Sequence, residues 1–217
     1  KNVTMDDTES DIKKTVEQGN RKEKMKSHSS QLTSKEKVPQ DTINLYESSQ
    51  FDIALSYDAG GMKQYSVKDY NSALVSFQHA LQIRLKLFGE DHRDTAKSYC
   101  DIGVTQHALK DYKAALESKQ HNLQIRLKLF GEDDADTAQS YYNIGVTQHA
   151  IKDYKAALES YQHALQIRVK LFGEDHPGTA QSYNNIGVTQ HQMKEYNAAL
   201  ESKQHALQIR LKLFGED

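Results

Sequence analysis

The sequence predicts an all-α protein in which pairs of helices stack into a solenoid. The first observation is a strict internal period, since glycines recur 42 residues apart at Gly89, Gly131, Gly173 and Gly215. A fixed period between 20 and 50 residues is typical of stacked supersecondary units. The second observation is a helical apolar pattern inside each period. The third is composition, because the chain has 2 prolines in 217 residues and is rich in strong helix formers.

The charge balance argues against two classes of partner. Lys and Arg number 28 and Asp and Glu number 30, which gives a formal net charge of −2. A near-neutral chain lacks the electrostatic footprint expected for nucleic acid or an anionic membrane. The single cysteine, Cys100, rules out an intrachain disulfide and fits a reducing compartment. We therefore expect a cytoplasmic location and neither nucleic-acid nor membrane partners.

The chain is predicted to divide near residue 46. Residues 1–46 are polar, with Tyr46 as their only aromatic residue, and we expect this tail to be mostly disordered. Ile43, Leu45 and Tyr46 align with the end of the second helix in later copies, so a vestigial helix end is expected near 43–46. The solenoid then occupies 47–217 in four units, 47–91, 92–133, 134–175 and 176–217.

The first helix of a unit is clearest in "DTAKSYCDIGVTQHALK", residues 94–110. Asp94 or Thr95 can cap its N-terminus, and Pro177 takes a tolerated first-turn position in the last copy. Asp111 is placed to start the next helix. Three- and four-residue spacing puts one set of residues on the same face: Ala96, Tyr99, Ile102, Gly103 and Gln106.

The second helix is "YKAALESKQHNLQIRLKLF", residues 112–130. Gly131 ends it, as a glycine with positive φ does. A further apolar edge recurs as Ile83 with Leu87 and their equivalents, and we expect it to pack against the next unit's first helix. The main apolar stripe follows a 3.6-residue period: Ala114, Ala115, Leu116, Leu123, Leu127 and Phe130.

Small residues in both helices suggest a close helix crossing, and they carry a family resemblance. The pattern aromatic–Leu–Gly–Ala–Phe–Ala is matched by Tyr99, Ile102, Gly103, Ala115, Phe77 or Tyr161, and Ala80 or Ala164. Residues 47–217 thus resemble the tetratricopeptide repeats, and their length is similar to that of the long repeats of kinesin light chain and nephrocystin-3. The resemblance implies a right-handed α–α solenoid that binds proteins. Lys119 and Lys203 stand where the family has an aromatic residue in the second helix.

No catalytic residue, metal site or cofactor is predicted. Most of the 10 histidines are copies at repeat-equivalent positions. Equivalent residues on packed helices lie about 10 Å apart, too far for shared ligation through zinc bonds of about 2 Å. Cys100 is replaced by Tyr142 and Asn184 in the sister units, which a catalytic nucleophile would not be.

The concave face of a helical solenoid is lined by the first helices of its units. On that basis we define the groove row, the set of candidate binding residues. Its members are Lys97, Asp101, Val104, Gln139, Tyr142, Asn143, Val146, His149, Gln181, Asn184, Asn185, Val188 and His191.

Several groove-row positions differ between copies, whereas framework positions such as Ile102 and Gly103 do not. Two interpretations stay open, a diversified binding groove and neutral drift at exposed positions. Asn143 and Asn185 each offer a donor and an acceptor that suit an extended peptide backbone, and the resemblance implies a peptide-contact role for both. The series is broken by Asp101, which would disfavour acidic ligands locally. The recurring valines favour a ligand with apolar side chains.

The leading hypothesis is a non-enzymatic scaffold or adaptor that binds an extended segment of a partner protein. The alternative is a repeat-sensor or regulatory region of a larger protein whose enzymatic or nucleotide-switch domain lies outside this sequence. Self-association through the terminal helix is a further option, because Ile209, Leu213 and Phe214 retain the edge meant for a following unit. We expect that edge to be exposed, and the natural chain to continue with another "DHPxTA" helix.

Overall fold

The structure, a computed structural model, describes residues 40–215. Within that range the chain forms eight α-helices and no strand. The helices are α1 (Gln40–Ser66), α2 (Tyr70–Phe88), α3 (Arg93–Ala108), α4 (Tyr112–Phe130), α5 (Ala135–Ala150), α6 (Tyr154–Phe172), α7 (Pro177–Gln192) and α8 (Tyr196–Phe214). Helices α3, α5 and α7 each pack against the helix before and the helix after them. The predicted all-α solenoid of helix pairs is confirmed.

The helix ends follow the predicted stop and start signals in most places. Gly131 adopts φ 78° and donates its N–H to the Leu127 carbonyl, closing α4 as predicted. Asp111 caps the start of α4 by accepting the Ala114 N–H at 3.2 Å. The turn before Asp111 holds Lys110 at φ 65°, and the equivalent lysines of the other units do the same. A left-handed conformation at a residue other than glycine costs about 1–2 kcal/mol.

The predicted cap of the first helix is wrong. The N-cap of α3 is His92, whose Nδ1 accepts the Asp94 N–H at 3.2 Å, so Asp94 lies inside the first turn. The Thr95 hydroxyl instead donates to the Gly89 carbonyl at 2.8 Å, which ties α3 to the end of α2. Since the helix begins at Arg93, two residues earlier than an Asp94 cap requires, the last residue of the short loop supplies the cap. Pro177 does occupy the first turn of α7.

The two helices of a unit cross closely at the predicted glycine. A Cβ added to Gly103 would lie 2.8 Å from Lys119 Cγ and 3.2 Å from the Ala115 carbonyl oxygen. At Gly145 the same atom would lie 2.8 Å from two ring carbons of Tyr161. Contacts this short leave no room for a side chain, so glycine at this position sets the distance between the helices.

The interior contains more polar side chains than the apolar stripe predicts. Ala115 is fully buried, whereas the stripe leucines of α4 are only half-buried. Three polar side chains of α4 are almost completely buried instead: Lys119, Asn122 and Arg126. Buried polar groups need hydrogen-bond partners, and Asn122 finds one by donating to the Ala96 carbonyl at 2.7 Å.

The second apolar edge behaves differently from the prediction. Ile125 is buried, but Leu129 stays 39% exposed although a further unit follows it. The expected exposure of the terminal edge is wrong for Ile209, which is 5% exposed, and right for Leu213 and Phe214, at 38% and 70%. Because Ile209 is buried by its own unit, its burial does not depend on a following helix.

The described residues from Leu45 onward belong to one compact unit. The predicted disorder of the tail lies almost entirely outside the described residues. Residues 43–46 are not a helix end, because α1 runs without a break from Gln40 to Ser66. Glu47 stands where later copies have the glycine that ends the helix, which explains the continuity. None of the helices between Gln40 and Phe214 is long and apolar enough to cross a membrane.

Candidate functional site

The groove row lies on α3, α5 and α7, and all of its side chains keep some solvent exposure. Lys97, Gln139, Gln181 and His191 are exposed, and the remaining members are half-buried. The row therefore offers side chains from three successive first helices.

Groove-row residues of successive helices contact one another. Asn185 Nδ2 donates to the Tyr142 hydroxyl at 2.8 Å, and Asn143 Nδ2 lies 3.7 Å from Cys100 Sγ. Both contacts join residues 43 positions apart and therefore cross equivalent junctions. Gln139 Nε2 also donates to Asn143 Oδ1 at 2.9 Å. The two asparagines thus hold adjacent first helices together, a role that the sequence analysis did not predict.

At the first junction an ion-pair network replaces the asparagine contact. Lys97 Nζ lies 3.0 Å from Asp58 Oδ2 and 3.1 Å from Asp101 Oδ2. Asp58 also pairs with Arg84 through both carboxylate oxygens, at 3.1 and 2.6 Å. Burial raises the pKa of Asp101 and outweighs the opposing effect of Lys97. The negative charge predicted at Asp101 is therefore paired with a lysine.

An arginine from each of the first three second helices lies beneath the groove row. Arg84 is 1% exposed and pairs with Asp58, and Arg126 pairs with Asp136. The signal available in the sequence was the recurring "QIR", whose arginine interrupts an apolar stretch in every copy. Sequence reasoning did not identify these arginines.

Arg168 differs because its hydrogen-bond partners are all uncharged. Its guanidinium donates to the Gly178 carbonyl, to Ser182 and to Gln139, each at 2.9 Å. It also lies over the ring of Tyr142, 4.7 Å from the ring centroid. Tyr142 therefore stands at the centre of a cluster that includes an amide and a guanidinium.

Besides the arginines, Lys119 places a further cation beneath the groove row. Its Nζ donates to the Asn143 carbonyl at 3.0 Å and to the Thr147 hydroxyl at 2.7 Å, and the residue is 3% exposed. Burial lowers the pKa of Lys119 to about 8. Burial also raises the pKa of the nearby Cys100 thiol, and a protonated thiol is a poor nucleophile.

The groove-row histidines pack against aromatic rings of the following helix. His149 meets Tyr154 edge-on at 5.2 Å, and His191 meets Tyr196 at 5.4 Å. Burial lowers the pKa of His149, which favours the neutral ring. Among the described residues, no group of three or more His, Cys, Asp or Glu side chains is arranged to hold a metal ion.

Comparison with known proteins decides the family. Residues 52–121, 107–168 and 152–212 each match the tetratricopeptide repeat. The chain belongs to the tetratricopeptide repeat family. No curated protein sequence matches it significantly.

Several solved structures resemble the fold at low sequence identity. BtubC (BKLC) from P. vanneervenii superposes with a TM-score of 0.71 at 20% identity, covering 82% of this chain and 75% of that one. The apo form of RapI gives 0.67 at 21% identity, with coverage of 78% and 62%. The nearly identical repeats of a Podosopora anserina kinesin light chain give 0.61 at 17% identity, with coverage of 85% and 82%.

Proposed function

We propose that this tetratricopeptide array is a non-enzymatic scaffold that binds an extended segment of a partner protein along the groove row. The observation that carries the proposal is the cluster of Tyr142, Asn185 and Arg168, where a half-exposed ring of α5, an amide of α7 and the buried guanidinium of α6 meet. Aromatic and arginine side chains are the residue types most enriched at the energetic centres of protein interfaces.

The groove-row amides retain hydrogen-bonding capacity for a ligand. An asparagine has two donor hydrogens and an acceptor oxygen. Asn185 uses one donor on Tyr142, and its Oδ1 receives only a long contact of 3.4 Å from Asn184. A peptide backbone can supply the missing N–H and C=O partners. Val146 and Val188, both half-buried, add apolar surface one turn further along α5 and α7.

The expected ligand is therefore an extended segment with apolar side chains. Its backbone would face Asn143 and Asn185, and one apolar side chain would rest on Tyr142. Burying a side chain of this kind contributes about 1.5–3 kcal/mol, which suits a moderate and reversible affinity.

The experiment selects binding peptides from a random display library and compares two double variants. Asn143→Ala with Asn185→Ala removes the groove amides, and Gln120→Ala with Gln162→Ala removes two exposed amides from the second helices. We expect the groove variant to weaken binding about tenfold or more, since each lost hydrogen bond is worth about 1 kcal/mol. The control variant should bind as the parent does.

Circular dichroism of both variants checks that the helices are intact. Unchanged affinity in a fully helical groove variant would place the binding surface elsewhere. Equal weakening in both variants would also contradict the proposal, because it would show that the loss does not depend on the groove.

A further inference from the structure

A tyrosine–histidine stack recurs outside the groove row in every unit. Tyr99 stacks on His121 with ring centroids 5.0 Å apart and planes inclined by 22°. The equivalent rings in the other units are 4.9, 5.0 and 5.1 Å apart. The sequence analysis treated these histidines as copied surface residues, yet each is held in one fixed arrangement.

The stacks Tyr99–His121 and Tyr141–His163 each adjoin a pocket at the loop between units. The pocket beside Tyr99 and His121 has a volume of about 230 Å³, and the one beside Tyr141 and His163 about 210 Å³. We name these sites the loop-edge pockets. The first is lined by Glu90, Asp91, Tyr99, His121, Gln124, Ile125 and Lys128, and the second by Glu132, Asp133, Tyr141, His163, Gln166, Ile167 and Lys170.

The same seven residue types recur at the third junction, as Glu174, Asp175, Tyr183, His205, Gln208, Ile209 and Lys212. At all three junctions the isoleucine is buried, the tyrosine is half-buried and the other five residues are exposed. The lining residue types are identical in the three copies, whereas one position of the first helices holds Cys100, Tyr142 and Asn184 in turn. The third junction thus carries the same set of side chains as the two loop-edge pockets, and we treat it as an equivalent third site.

The charges leave one unpaired carboxylate in each pocket. Lys128 forms an ion pair with Asp91, Lys170 with Asp133 and Lys212 with Asp175. The glutamates Glu90, Glu132 and Glu174 form no ion pair with any residue in the range 40–215. Burial and, second, the Glu90 carboxylate raise the pKa of Tyr99, which places this carboxylate near the tyrosine. Each site therefore combines an aromatic pair, an amide and a net charge of about −1 from its glutamate, aspartate and lysine.

We propose that the loop-edge pockets bind arginine side chains of an extended, basic segment of a partner protein. A guanidinium is planar, stacks on aromatic rings and presents five donors, which suit the glutamate, the glutamine carbonyl and the tyrosine oxygen. Neighbouring pockets stand about 10 Å apart if they follow the spacing of packed helices, which corresponds to about three extended residues at about 3.3 Å each. One segment with an arginine at every third position can therefore occupy the two pockets and the equivalent third site at once.

Simultaneous occupation makes three weak sites act as one stronger site, because the second and third contacts form at high effective concentration. This surface is separate from the groove row, and the inference stands whether or not the groove binds a peptide.

The experiment uses the full chain and a labelled, end-capped peptide of three Arg-Gly-Gly repeats, with binding followed by fluorescence anisotropy. The triple variant E90Q, E132Q and E174Q removes the unpaired pocket carboxylates. The matched control E117Q, E159Q and E201Q makes the same charge change at exposed second-helix positions outside the pockets. A citrulline version of the peptide keeps its shape and removes its charge.

We expect the parent chain and the control variant to bind the arginine peptide alike, and the pocket variant to bind it about tenfold or more weakly. The citrulline peptide should not bind. Equal weakening of both triple variants would overturn the inference by showing general electrostatic attraction only. Absence of binding to the parent chain would overturn it as well.

Discussion

Asn185 donates a hydrogen bond to the Tyr142 hydroxyl and thereby links α7 to α5 across a unit junction. The equivalent junction joins Asn143 to Cys100, and the first is bridged by Lys97. Positions that differ between copies therefore lie against each other. Their variation follows the contacts at the junctions, which neither a diversified binding groove nor neutral drift predicts.

Removing the hydroxyl of Tyr142 tests this junction. Tyr142→Phe keeps the ring over Arg168 but leaves Asn185 Nδ2 without its acceptor. We expect the free energy of unfolding to fall by about 1 kcal/mol, measured by urea denaturation. Tyr196→Phe, at a residue 58% exposed, serves as the control and should change stability little. Equal losses in the two variants would contradict a structural role for the hydrogen bond.

Replacing the buried Lys119 should increase the stability of the fold by an amount that depends on pH. Lys119→Phe introduces the residue found as Phe77 in the first unit and removes the cost of burying an ammonium. The pKa of Lys119 is lowered from 10.5 to about 8, which corresponds to about 3 kcal/mol. We expect the variant to be more stable than the parent by about 1–3 kcal/mol at pH 7, measured by urea denaturation.

The sign of the pH effect follows from the two protonation states. Below pH 8 the lysine is charged in both the folded and the unfolded chain, and the parent bears the full cost. Between about pH 8 and 10.5 the folded chain releases its proton first, so the parent gains stability and the advantage of Lys119→Phe shrinks. Lys203→Phe, at an exposed repeat-equivalent lysine, should show no such trend. An advantage independent of pH would rule out the buried charge as its cause.

Removing Asp58 should strongly destabilise the first junction. Asp58→Ala leaves the buried Arg84 without its carboxylate, and we expect a loss of about 3–5 kcal/mol by urea denaturation. Asp52→Ala, at an exposed position of α1, is the control. Asp58→Tyr recreates the arrangement of Tyr142 over Arg168 and should cost less than Asp58→Ala. A larger loss of stability in Asp58→Tyr than in Asp58→Ala would show that an aromatic ring cannot replace the carboxylate here.

The helix crossing can be tested with two glycine substitutions. Gly145→Ala brings a Cβ to 2.8 Å from the Tyr161 ring and should cost about 1–3 kcal/mol through overpacking. At Gly60 nothing lies within 4 Å of an added Cβ, so Gly60→Ala should stabilise the chain by about 0.5–1 kcal/mol. Thermal unfolding would compare the two, and a neutral Gly145→Ala would contradict the close crossing.

Local sequence signals predicted the fold well, and long-range contacts account for what they missed. The terminating Gly131 and the capping Asp111 act on residues three or four positions away, and the crossing Gly103 recurs at the same position in every unit, which makes all three visible in a periodic sequence. The burial of Arg84 depends on Asp58, 26 residues away, and an arginine on a helix otherwise looks like a surface residue. The loop-edge pockets escaped notice because each combines residues of two helices and a loop.

The hydrogen bond from the Thr95 hydroxyl to the Gly89 carbonyl has equivalents at Thr137 and Thr179. A threonine hydroxyl therefore joins two units at every described boundary. The bond joins the C-cap glycine of one helix to the first turn of the next. The boundaries between units are therefore held by the same short hydrogen bond. When the array is pulled from its ends, we expect it to unfold at one boundary at a time, because each unit contacts only its neighbours.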